Sequence, residues 1–506
     1  MALSRRVGLS LSLLFVLAAV QAESGRPSRD SRNAPERPNV VFILTDDQDL
    51  SLQSLDFMPR TRELIARRGM TFQQDFVPLS LCCPSRSTIL TGLYPHNHRI
   101  YNNRAPGGGF AKFEALGHEQ TTIATALHAA GYRTALFGKY LNNYPRHDDP
   151  THVPPGWDEF VTPAAGSPYN EFHYTLNENG VLVQRGKDST DYLTDVVAGK
   201  AAGFIRRSAA AGEPFFLYLA VYAPHKPATP APRHAGLFPT LKAPRSAAFN
   251  EADTRDKPAK VRKLPRLTPK DLEVIDTLYR RRAQSLQAVD EAVATVVEAL
   301  KAAGQLDNTY ILFTSDNGFH MGQHRLKPGK YTPYETDVHV PLLVRGPGIA
   351  AGSSTSAATS SVDFVPTIAE LAGAALPFEV DGRSFAPLLH GPAPGGWRQV
   401  VLLEQFEFLA ENNPPDSVLE PPDPQDGSLS AFPSHLGLRT PRLKFVEYGT
   451  GEREVYDLRR DPEELNNLAA RMDPKWLARM SSLARALGAC SGEECRELEA
   501  RAVPVP

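Results

Sequence analysis

The chain has 506 residues, 42% of them hydrophobic and 22% charged, with a formal net charge of −2 at pH 7. This length suits several average domains, or one large α/β body with a smaller appendage. The composition is that of an ordinary globular protein, and the balanced charge excludes the basic field that nucleic-acid binding requires.

In chain order, Arg5 and Arg6 precede an apolar run over 7–20, and Val20-Gln21-Ala22 has the form of a small-residue cleavage site. Residues 1–22 therefore read as an export signal, with the mature chain starting at Glu23. The other reading, a membrane anchor, needs a longer run, and no later segment is apolar enough, so no membrane span is expected. Export implies a secreted or periplasmic protein, or a lysosomal one in a eukaryote. Residues 23–37 are polar, contain Pro27 and Pro35, and read as a flexible leader.

Residues 39–44 (NVVFIL) form a continuous β-rich apolar run, the pattern of a strand buried on both faces of a parallel sheet. The acidic group Asp46-Asp47 follows at once. A helix is predicted over 59–68, ending at Gly69, then a helix over 122–130, a strand over 133–137, a helix over 191–207 and a strand over 215–221. Leu286, Val289, Val293, Val296 and Leu300 recur at helical spacing and predict a long helix that stops near Gly304. Residues 310–314 (YILFT) predict a strand that opens into Ser315-Asp316-Asn317-Gly318. Alternating strands and helices predict an open, mostly parallel sheet with helices on both faces, in which ligands bind beyond the carboxyl ends of the strands. From residue 394 the pattern shifts to short antiparallel strands at 400–404, 436–439 and 443–447 and a helix at 474–487. This reads as a smaller α+β subdomain over 394–506, with 412–424 as a Pro-rich surface insert.

The chain has four cysteines, which is not a disulfide scaffold. Cys490 and Cys495 could close a small loop in an oxidising compartment. Cys82 and Cys83 are adjacent, a spacing that disfavours a bond between them. They lie in Leu81-Cys82-Cys83-Pro84-Ser85-Arg86, followed by Ser87-Thr88-Ile89-Leu90-Thr91-Gly92. Asp46, Asp47, Asp316 and Asn317 sit at two predicted strand ends, where carboxylates and an amide carbonyl suit a hard cation, calcium before magnesium. No Cys/His spacing suits zinc. Lys139, His225 and Lys330 each follow a predicted strand end, and Arg86 lies in the first turn of a helix read as beginning at Pro84. An anion would be favoured among such groups. Taken singly, each would more often be a surface charge or a satisfied histidine.

Cys-x-Pro-Ser-Arg leading into a helix resembles the signature of the sulfatase family, which belongs to the alkaline phosphatase superfamily. The segments TDDQD, FGKYLNNY, APHKP, TSDNG, HVPLLVRGPG and ACSGEEC extend the resemblance over about residues 37–495, and they look most like its N-acetylglucosamine-6-sulfatase branch. The resemblance implies a large mixed, mostly parallel sheet sandwiched by helices over 38–393, with the α+β subdomain after it. It implies that a formylglycine-generating enzyme converts Cys82 to formylglycine, and that Cys82, Asp46, Asp47, Asp316 and Asn317 hold one calcium ion. Arg86 and Lys139 would hold the nucleophilic hydroxyl and the sulfate, His225 would act at the leaving oxygen, and Lys330 would bind a sulfate or bridging oxygen. The substrate implied is a sulfated saccharide such as N-acetylglucosamine 6-sulfate in a glycosaminoglycan.

An aldehyde suits this chemistry. A serine that attacked sulfur would be left as a stable sulfate ester, whereas a hydrated aldehyde has a second hydroxyl whose deprotonation expels sulfate. Many sulfatases carry a histidine two residues after the Lys139-type lysine, and here Leu141 stands there. His324 could line the pocket or be structural, and His96 and His98 could reach a sugar or cap a helix. Three other readings compete: a phosphodiester or phosphonate monoester hydrolase of the same superfamily, an arylsulfatase of broad specificity, and a sugar-binding protein that has lost catalysis. The last would show missing motif residues, and none is missing.

Overall fold

The computed structural model describes residues 37–406 and 432–503; the expected export signal, nearly all of the leader and the insert at 412–424 lie outside the described residues. The strands in chain order are β1 (Asn39–Thr45), β2 (Met70–Phe72), β3 (Asp75–Phe76), β4 (Arg133–Gly138), β5 (Glu159–Gly166), β6 (Tyr174–Glu178), β7 (Val181–Arg185) and β8 (Phe215–Ala220). They continue with β9 (Thr309–Ser315), β10 (Leu342–Arg345), β11 (Ser353–Thr355), β12 (Thr359–Ser360), β13 (Val401–Gln405), β14 (His435–Arg439), β15 (Leu443–Tyr448) and β16 (Arg453–Asp457).

Ten of these form one sheet in the order β11-β2-β10-β9-β1-β8-β4-β5-β6-β7. Its centre is parallel, with β1 between β8 and β9 and β4 between β8 and β5. Antiparallel β10, β6 and β7 make it mixed. Every residue of β1 and β9 is buried, as their uninterrupted apolar sequences require. Side chains alternate between the two faces. Val40, Phe42 and Leu44 join the core under the helices Ile123–Ala129 and Phe364–Ala372. Val41 and Ile43 join the opposite core, under the helices Leu193–Ala211 and Pro269–Ala302.

The second sheet is antiparallel, β13-β14-β15-β16, and packs its apolar face on the helix Pro474–Leu487. Cys490 and Cys495 form a disulfide just after that helix. The described residues from Arg37 onward belong to one compact unit.

Local departures from expectation have physical causes. The long helix starts at Pro269, well before the apolar repeat, because Thr268 caps it in a reciprocal capping box with Asp271 and Pro269 occupies its first turn. The helix expected at 59–68 is a single α turn continued as a π turn over Arg62–Ala66. The helix expected from Pro84 starts at Cys82.

Candidate active site

Parallel pairing fixes the site's floor. Thr45 of β1 stands beside Ser315 of β9, so the segments that leave these strands, Asp46-Asp47 and Asp316-Asn317, emerge side by side. The backbone N–H of Asp316 donates to Thr45 O (3.1 Å) and that of Asp47 donates to Asp316 Oδ1 (3.1 Å). Asp47 has a left-handed φ of 66°, which turns the chain sharply at this point. Arg282, buried on the long helix, locks the turn by donating to Asp47 O (2.7 Å), Asp49 Oδ2 (2.9 Å) and Pro224 O (3.2 Å).

The helix Cys82–Thr91 is buried along its whole length and points its first residue at this floor. The N–H of Cys83 donates to Asn103 Oδ1 (3.0 Å) and the hydroxyl of Ser85 to Asp316 O (2.5 Å), which satisfies part of the helix start and pins it to the β9 turn. Cys82 Sγ lies 3.3 Å from Asp46 Oδ1 and 3.9 Å from Asp47 Oδ1. Burial, reinforced by the Asp46 charge, pushes the Cys82 thiol well up.

Four basic groups surround this point. Lys330 Nζ is 2.6 Å from Cys82 Sγ and 2.5 Å from Asp47 Oδ1. Lys139 Nζ donates to Asp46 Oδ2 at 2.6 Å. Arg86 donates from Nε to Asp316 Oδ2 (2.8 Å) and from Nη1 to Lys139 O (3.0 Å), while its buried Nη2 has no hydrogen-bond partner. His225 brings Nε2 to 3.6 Å from Asp47 Oδ2, and its Nδ1 donates to Lys226 O at 2.6 Å. Gly138, the last residue of β4, has φ 109°, and a Cβ there would lie 1.8 Å from Ala220 O, so only glycine lets the chain turn Lys139 inward.

Burial opposes ionisation of Asp47, but Lys330 and then His225 outweigh it and hold the carboxyl well below its usual range. Asp316 moves the other way, raised by burial and by Asp46. Burial lowers His225 to about 4 against the pull of Asp47.

The donor set fits a hard cation. Ligand atoms of Asp46, Asp47, Cys82 and His225 all lie within 4.8 Å of one another. Asp47 Oδ2 and Asn317 Oδ1 are buried without a hydrogen-bond partner, a condition that proteins rarely leave uncompensated. Oxygen atoms dominate the cluster, as calcium or magnesium would require. Both Asp316 oxygens already accept bonds, from Asp47 N and Arg86 Nε, so Asp316 would share its carboxylate between a cation and those donors.

The structure thus brings together Cys82, Arg86, Lys139, His225, Lys330, Asp46, Asp47, Asp316 and Asn317. The sulfatase family model matches residues 38–374. The chain belongs to the sulfatase family. Like its relatives, this sulfatase is a sulfuric ester hydrolase. It is 39% identical to the N-acetylglucosamine-6-sulfatase of Capra hircus over 484 residues, 91% of this chain and 85% of that one. A solved structure in complex with its substrate D-glucosamine-2-N,6-O-disulfate matches with a TM-score of 0.72 at 26% identity, covering 89% of this chain and 97% of that one. The phosphonate monoester hydrolase of Agrobacterium radiobacter matches with a TM-score of 0.65 at 25% identity, covering 89% and 95%. The sheet sandwiched by helices with a small antiparallel C-terminal sheet is the architecture expected from the sequence.

The undecided histidines of the sulfatase have structural partners. His324 Nδ1 donates to Glu251 Oε2 (2.7 Å) beside the Tyr334 ring, His96 lies between Glu404 and Cys490 O, and His98 meets Thr88. Sequence reasoning missed Arg282, Asn103 and the aromatic pair Tyr169 and Tyr222 beside Lys139. Of these only Arg282 had a signal, a charge on the helix face that later turns apolar.

Proposed function

We propose that this sulfatase removes the 6-O-sulfate of N-acetylglucosamine in sulfated saccharides, with Cys82 converted to formylglycine and one calcium ion held by Asp46, Asp47, Asp316, Asn317 and the modified residue. The observation that carries this reading is the convergence of four cationic or proton-donating side chains on one buried cysteine beside two unpartnered oxygen atoms. The similarity to N-acetylglucosamine-6-sulfatase and to the structure with a 6-sulfated glucosamine supports the sugar. Calcium would polarise the sulfate and favour ionisation of the attacking hydroxyl. Formylglycine would supply, as its hydrate, one hydroxyl to attack sulfur and another to expel sulfate afterwards.

The chain's own groups have separate tasks. Lys330, beside Cys82, and Lys139, on Asp46, balance the sulfate charge as it shifts onto the departing oxygen. Arg86 fixes Asp316 and orients the start of the helix. His225 presents Nε2 towards the cluster and donates to the sugar oxygen as its bond to sulfur breaks; a bound sulfate ester, itself anionic, favours the protonated ring against burial. Residues 38–393 would form the catalytic domain and 394–506 the subdomain. We read residues 1–22 as an export signal that delivers the enzyme outside the cytoplasm. No described helix is long and apolar enough to cross a membrane.

The test is mass spectrometry of the tryptic fragment 69–86 from a host that makes formylglycine, paired with an assay on N-acetylglucosamine 6-sulfate. An aldehyde at Cys82 together with sulfate release is expected. An unmodified thiol in an active enzyme would defeat the mechanism. A second reading, phosphonate monoester hydrolysis, is favoured by the Agrobacterium match; faster turnover of a phenylphosphonate ester than of any sulfate ester would establish it instead.

A further inference from the structure

His225 has little to hold its ring. Its one hydrogen bond within the described residues is the short contact from Nδ1 to the carbonyl of the next residue, Lys226, and Nε2 faces Asp47 at 3.6 Å. The ring packs against Tyr169, with ring centroids 4.6 Å apart and planes tilted by 51°. Tyr169 in turn stands edge-on to Tyr222 (4.9 Å, 88°) and under Lys139, whose Nζ is 5.1 Å from the ring centroid. Lys139 has an independent anchor in Asp46 at 2.6 Å. The His225 ring has instead a 2.6 Å bond to the carbonyl of the next residue of its own segment, which holds Nδ1 and leaves the face of the ring to its neighbours.

The segment bearing Tyr169 is built to be stiff. Tyr169 lies in a short helical turn, Pro168–Asn170, between β5 and β6. Ser167 N donates to His173 O (2.9 Å), and Glu171 N to Pro168 O (2.9 Å). The Glu171 carboxylate accepts from both the N–H (2.8 Å) and the hydroxyl (2.9 Å) of Thr194, tying the turn to the start of the helix Leu193–Ala211. At 5% exposure, Tyr169 is fixed in place rather than free to swing.

We infer that Tyr169 is a positioning residue for leaving-group departure, its ring fixing the plane of His225 so that Nε2 meets the bridging oxygen of the ester. This rests on the reading of His225 given above. As the S–O bond breaks, its electron pair goes to the bridging oxygen and the Nε2 proton follows it, giving the free alcohol.

Dependence on the leaving group is the readout. A sugar alcohol needs that proton, whereas 4-nitrophenolate departs without it. In formylglycine-bearing enzyme, Tyr169→Ala is expected to lower kcat on a sulfated sugar that the wild type hydrolyses on the order of tenfold to a hundredfold, and on 4-nitrophenyl sulfate only slightly. Tyr169→Phe, which keeps the ring, should restore the sugar rate. His225→Ala measured alongside separates the two readings. If His225→Ala is selective for the sugar and Tyr169→Ala lowers both substrates equally or neither, the positioning role is overturned while His225 keeps its task. If His225→Ala is itself unselective, His225 is not the donor and the role of Tyr169 falls with it.

Discussion

Lys330 Nζ is in hydrogen-bond range of both the Cys82 sulfur (2.6 Å) and Asp47 Oδ1 (2.5 Å), so one ammonium group joins the position of the nucleophile to the acidic floor. Burial disfavours its charge, but Asp47 outweighs this and raises the Lys330 pKa well above its ordinary value. Lys330→Ala is expected to lower kcat/KM about 10²–10³-fold, the range for removing one preorganised charge-stabilising donor. Steady-state kinetics checks it, with circular dichroism to show that the fold persists.

Cys82→Ala should abolish turnover and leave thermal stability close to that of the parent. The side chain is fully buried, yet its loss removes a single sulfur atom next to a lysine that still has Asp47 as a partner. Turnover that stays close to the parent's would show that Cys82 is not the nucleophile, since electrostatic stabilisation and binding alone leave only a small residual rate.

Calcium should raise the melting temperature, because a ligand that binds only the folded state stabilises it by mass action. Asp47→Ala removes an unpartnered buried oxygen and should abolish that rise as well as the activity. Differential scanning calorimetry with and without chelator reads the effect independently of catalysis.

Glu171 predicts a pH dependence of stability. Burial pushes its carboxyl up to about 8 from a reference of 4.5. Between those values the unfolded chain has released a proton that the folded chain keeps, so the unfolded state binds fewer protons and stability falls as pH rises through this window. Glu171→Gln cannot ionise and its amide oxygen can still accept from Thr194. Its melting temperature should therefore gain on the parent at pH 8 and not at pH 4, in parallel thermal melts.

The central sheet was legible because β1 and β9 are largely apolar runs that burial on both faces explains, and because each is followed at once by acidic residues. Cys-x-Pro-Ser-Arg marked the third contributor. The antiparallel edge β6-β7 was not legible: β7 exposes Val181 and Leu182, so its apolar pattern does not report burial. The first half of the long helix was missed because its residues are largely polar, although Thr-Pro-x-Asp at 268–271 is a helix-start signal. Tyr169 acts through contacts between segments far apart in sequence, which no local pattern announces, whereas Arg282 was marked only by its charge one turn before the apolar repeat of the long helix.

The carboxylate of Glu499 accepts from Tyr94 and Arg383 and is paired with Arg398, and Tyr94 lies just past the end of the helix that begins at Cys82. Glu499 follows Tyr94 by 405 residues, so a growing polypeptide must extend that far before this contact can form. Until then the helix that begins at Cys82 lacks this contact beyond its far end, and Cys82 and Cys83, wholly buried in the folded protein, can be reached only before folding encloses them.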